Sequence, residues 1–136
     1  MKLMTLIFCL MFLNISFSGE HEGGFHTANF CTLSKTCSHL RFDEYPTTAK
    51  MSEFLIHILP STSSSVIDNL TAKLWMDMGN GHGHGSAPLA ITTGEEENHF
   101  AVTNAWFVMA GPWQVIVNFK ENGINQQIII PIDIKE

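Results

Sequence analysis

Apolar residues recur on every second position through most of this chain, a period that fits strands with one buried face and does not fit a helix. Phe54, Ile56 and Ile58 open the pattern, and Pro60 with the polar run 61–65 closes that strand. Leu70, Ala72, Leu74, Met76 and Met78 then share one face against Asn69, Thr71, Lys73 and Asp77, with Trp75 alone breaking the polar side. A short strand over 87–92 and a charged turn over 94–97 lead to a core face of Phe100, Val102, Trp106 and Val108, interrupted by Asn104. Ala110, Gly111 and Pro112 connect to Trp113, Val115, Val117 and Phe119, which alternate with Gln114 and Asn118. Asn122-Gly123 is a hairpin signal, and Ile128, Ile130, Ile132 and Ile134 line the last strand, where Pro131 is best tolerated at a sheet edge. With one more strand near 39–42, about seven short strands and no helix are predicted, an all-β immunoglobulin-like β-sandwich over residues 39–136.

The first eighteen residues read as a signal peptide. Lys2 precedes the apolar run 3–17, which is short for a membrane span, and Ser16 and Ser18 supply the small residues of a cleavage site. Export, to the periplasm, is therefore expected, with no stable membrane span left in the mature chain. Residues 19–38 hold little to bury and read as a flexible segment carrying a cysteine pair. In an oxidising compartment Cys31 and Cys37 are expected to form a local disulfide, since their spacing matches neither a redox nor a common zinc pattern. Without Lys2 the chain has 6 basic residues against 13 acidic ones, a formal charge of −7, and the basic residues are scattered, which argues against nucleic acid as a partner.

The segment that carries chemistry is Trp75-Met76-Asp77-Met78-Gly79-Asn80-Gly81-His82-Gly83-His84-Gly85-Ser86. Four glycines in residues 79–85 predict a loop, because they bring much backbone freedom and little side chain. Thioether sulfur is a soft neutral ligand suited to Cu(I), and imidazole serves Cu(I), Cu(II), zinc and nickel alike. Met76, Met78, His82 and His84 together favour copper, Cu(I) above Cu(II). Met109 adds a further sulfur if its turn lies at the same end of the sandwich. Against this stand plainer readings: the methionines continue a core stripe, and the histidines decorate a solvated turn. If cleavage exposes Gly19, then Gly19-Glu20-His21 presents an amine, two amides and an imidazole, a square-planar nitrogen set for Cu(II) or Ni(II). His26, His39, His57 and His99 are dispersed in the sequence and read as surface or satisfied core residues.

No catalytic constellation stands out: there is no Gly-x-Ser-x-Gly elbow, and Glu95 to Glu97 read as a solvated turn, so an enzyme is not expected. Exposed thioethers exchange metal readily, which suits a carrier. The competing expectation is a metal-free protein-binding module that uses the Gly-rich loop, as loops at the end of other sandwiches are used.

The segment from Leu74 to Pro88, followed by Phe107-Val108-Met109-Ala110-Gly111-Pro112-Trp113 and the closing strands, resembles the YtkA-like and FixH-like exported domains, over about residues 55–134. Met76, Met78, His82, His84 and Pro88 fit that family's Met-Gly-His-Gly segment, and Met109, Gly111 and Trp113 its later Met-x-Gly-x-Trp turn. The resemblance implies a sandwich broadly similar to the copper carrier CopC. It also implies a role in copper handling or oxidase assembly, with a copper-receiving protein or a respiratory oxidase as partner. The doubled His-Gly-His and the cysteine pair ahead of the domain depart from the family's pattern.

Overall fold

A computed structural model describes residues 24–136; the expected leader 1–18 and the Gly19-Glu20-His21 motif lie outside the described residues. Ten strands form, in chain order β1 (Phe25–His26), β2 (Phe30–Cys31), β3 (Cys37–Phe42), β4 (Ser52–Leu59), β5 (Ile67–Gly79), β6 (His82–Gly85), β7 (Ala90–Thr93), β8 (His99–Ala105), β9 (Gly111–Glu121) and β10 (Ile124–Ile134). They build two antiparallel sheets, one ordered β1-β3-β4-β8-β7 with β2 also paired to β3, the other β10-β9-β5-β6. Among the described residues there is no helix, and none long and apolar enough to cross a membrane.

The alternation read from the sequence is what closes the sandwich. Leu40, Phe42, Phe54, Ile56, Ile58 and Val102 from the first sheet meet Leu74, Met76, Trp113, Val115, Val117, Phe119 and Ile128 to Ile134 on alternate positions of the second, all buried in one core. Burial of this kind is the main favourable contribution to folding. Pro131 lies on β10, an edge strand, as its missing N–H requires. Asn122 and Gly123 both have positive φ, 51° and 78°, and form the β9–β10 hairpin.

The expected seven strands become ten because β1, β2 and β6 are short edge segments, too brief for a period of two to register. The sandwich also begins before residue 39. Phe25 pairs with Phe42 and Phe30 with Ser38, and both phenylalanines pack on the core, so residues 25–38 join the first sheet instead of forming a flexible tail. Cys31 and Cys37 face each other across β2 and β3 and are joined by the expected disulfide.

Trp106 and Val108 were expected in the core, but they are 41% and 58% exposed, while Ala105 and Phe107 are fully buried. The cause is Asn104, at φ 62°. Ser52 pairs with Ala105 and Phe54 with Val102, so β8 carries one extra residue there, and inward-facing positions switch from even to odd numbers.

One acid is buried deliberately. Glu121, at the end of β9, accepts hydrogen bonds from the Thr36 hydroxyl, the Ser61 amide (2.9 Å) and the Ser61 hydroxyl (2.8 Å). These donors lie just before β3 and just after β4, so the carboxylate ties the two sheets together. Burial raises its pKa, but the hydrogen bonds, Thr36's largest among them, outweigh that and hold it at about 2.

Candidate metal site

Residues 79–85 are not a free loop. Asn80 (φ 52°) and Gly81 (φ 74°) make a two-residue turn of the mirror-image kind that suits a hairpin, and β6 returns along β5 with Met76 opposite His84 and Asp77 opposite Gly83. Gly79 then pairs with His82, leaving Met78 as the extra residue of a bulge, and the Asp77 carboxylate accepts from the Gly79 amide at 2.8 Å.

The glycines answer a steric need that differs from the convergence of histidines the sequence invited. The Trp75 indole lies across Gly83, where a Cβ would fall 2.1 Å from Cζ2 and 2.8 Å from the Met76 carbonyl oxygen. Gly83→Ala must therefore displace the indole or part β6 from β5. We expect a loss of about 2 kcal/mol, read as a lower melting temperature, with faster hydrogen exchange at the β6 amides. An unchanged melting temperature would show that Trp75 does not hold the hairpin closed.

Met76 is core, 3% exposed, with its methyl group against Gly111, where a Cβ would stand 3.2 Å away. Directly opposed residues of an antiparallel pair project from the same face, so His84 leaves β6 on the side to which Met76 points, and His82, two residues away, shares that side. His82 and His84 are exposed, and Met78 is 53% exposed. Because Trp75 pairs with Gln114, the tip of β5 runs beside the start of β9, so the hairpin and the connection 106–110 lie at one end of the sandwich. Met109 is partly buried there, and its carbonyl accepts the Trp113 Nε1–H at 2.8 Å. Three donors, Met78, His82 and His84, are thus exposed on one hairpin, while the Met76 sulfur lies in the core beneath and Met109 in the adjoining connection. Trp113 is a core residue, and Trp75 sits over the hairpin with Lys73 Nζ 5.6 Å from its ring. Among the described residues no three His, Cys, Asp or Glu side chains are grouped to hold a metal ion.

The four remaining described histidines are not dispersed in space. His39 pairs with His57 and His57 with His99 across β3, β4 and β8, and His26 follows on β1. Successive ring centroids are 6.1, 5.0 and 3.9 Å apart from His26 to His99. His39 Nδ1 is buried with no hydrogen-bond partner among the described residues, although the residue as a whole is partly exposed. Desolvation first, then neighbouring imidazoles, lower the pKa of His39 and His57 from the ordinary value, with Glu96 opposing this at His57. Their odd-numbered positions, opposite in parity to Leu40, Ile56 and Ile58, were the available signal; the cross-strand register that aligns them was not readable.

Compared with family models, with curated proteins and with solved structures, the chain matches none, so its function has to be read from these sites.

Proposed function

We propose that this is an exported copper-binding protein, a carrier or accessory in copper handling or oxidase assembly, which takes Cu(I) at the β5–β6 hairpin through Met78, His82 and His84. The observation that supports this reading is the β5–β6 hairpin, whose bulge leaves Met78 exposed on the same short hairpin as His82 and His84, at the end of the sandwich that carries the connection with Met109. Neutral thioether and imidazole donors bind without a charged partner and release by ligand exchange, which suits transfer to a copper-receiving protein or a respiratory oxidase. Met76 acts as the floor of this site, and its sulfur reaches the ion only if the hairpin shifts. The Cys31–Cys37 disulfide fits an oxidising compartment such as the periplasm.

Titration of the purified protein with Cu(I) against a competing chelator tests the proposal. Replacing Met78, His82 and His84 together with Ala is expected to weaken Cu(I) binding at least tenfold; equal affinity would overturn it. The second reading is a metal-free protein-binding module that uses the Gly-rich hairpin, and the exposed Trp106 and Val108 on the neighbouring connection support it. That reading predicts partner binding unaffected by chelator.

A further inference from the structure

Along one flank of the sandwich the two sheets do not close. β6 pairs with β5 only between Trp75 and Gly79, so beside the earlier part of β5 the second sheet has no further strand among the described residues, and the first sheet ends at β7. A groove of about 520 Å³ opens between these two borders. Its floor is core left half covered. Ile67 and Leu70 from β5, with Ile91 and Phe100 from β7 and β8, pack on the central cluster yet stay only partly buried. Val66, 62% exposed, extends the apolar rim. The two borders differ in their backbone. On β5 a bulge between Asp68 and Thr71 breaks the ladder, with Asn69 at φ 51°. On β7 all four residues, Ala90 to Thr93, pair with β8 in one unbroken register, so its free edge presents regular backbone N–H and C=O groups beside the apolar trough. Asp68 and Glu97 line the groove, and among the described residues no lysine or arginine does. Glu95 and Glu96 precede Glu97 in the same turn, while Lys120, opposite Asp68 on β9, offsets one of these charges.

We propose that this groove is a docking site for an extended, cationic segment of a partner protein, which adds as a strand to the free edge of β7. Its alternate apolar side chains cover Ile67, Leu70, Ile91 and Phe100, and its lysine or arginine residues meet Asp68 and Glu97. Each part of that chemistry answers a different feature. The open ladder selects extended backbone, the half-covered core selects apolar residues at every second position, and the carboxylates select positive charge. The groove shares no lining residue with Met78, His82 and His84, so its occupancy does not depend on copper.

The probe is a synthetic peptide of alternating lysine and valine, titrated into the protein while the backbone amide resonances are followed. Binding is expected, with the largest shifts and slowed hydrogen exchange at Ala90 to Thr93. Asp68→Asn combined with Glu97→Gln is expected to weaken it at least tenfold; both side chains are exposed, so this variant keeps the fold. Leu70→Ser is expected to weaken binding through the floor, and Val66→Ser on the exposed rim keeps that arm informative should Leu70→Ser unfold. A peptide with proline in place of valine keeps the charge but cannot form the ladder, and is expected not to bind. No binding of the lysine–valine peptide, equal binding of the proline peptide, or binding that leaves the β7 amides unperturbed overturns the proposal. Concentration-dependent protection of those amides without peptide also overturns it, by assigning the groove to a second copy of the chain. The variant lacking the Met78, His82 and His84 side chains is expected to bind the peptide like wild type, so the copper reading and this inference fail separately.

Discussion

Trp113→Ala is expected to destabilise the protein by about 4 kcal/mol, a large effect for a single substitution. The indole is fully buried, meets Phe107 edge-on with centroids 5.5 Å apart, and donates Nε1–H to the Met109 carbonyl. Truncation removes the largest fully buried side chain, leaves a cavity between the sheets and strands that carbonyl. Trp113→Phe separates these effects, since it keeps most of the volume and loses the hydrogen bond, at an expected cost of about 1–2 kcal/mol. Denaturant unfolding of both variants measures the difference. Equal losses would show that the bond to Met109, and not the packing, is what matters.

Glu121→Ala is expected to cost about 3 kcal/mol, because it leaves the Thr36 and Ser61 donors without their acceptor between the sheets. The same carboxylate gives stability a pH signature. Its folded-state pKa, about 2, lies below the ordinary value of 4.5, so the unfolded chain binds the proton more readily. Its contribution is complete above about pH 4.5 and is lost as pH falls toward 2. Denaturant midpoints for the wild type should fall across this window, and Glu121→Ala should show a shallower slope. Parallel slopes would remove Glu121 from the acid response.

The alternation of Trp113 to Phe119 and of Ile128 to Ile134 made the second sheet legible, since those strands are long and each has one dry face. Asn104 marks where this legibility stopped. An asparagine in a left-handed conformation adds a residue to β8 and reverses its faces, and nothing in the spacing of Trp106 and Val108 announces that. The hairpin donors were visible because methionine and histidine crowd a short segment. The parity of Met76 with Leu74 points to the core, and Met76 is buried there. Glycines 83 and 85 were misread as loop because a cross-strand indole, and not local preference, keeps β6 extended. The histidine row escaped because His39, His57 and His99 are brought together only by strand register, a non-local property.

The borders of the second sheet bear on how the molecule behaves at high concentration. One is β10, whose proline removes an amide toward its C-terminal end; the other is β6, only four residues long and half glycine. Neither gives another copy an unbroken ladder to extend, so self-association by fibril-like strand addition is discouraged on both sides.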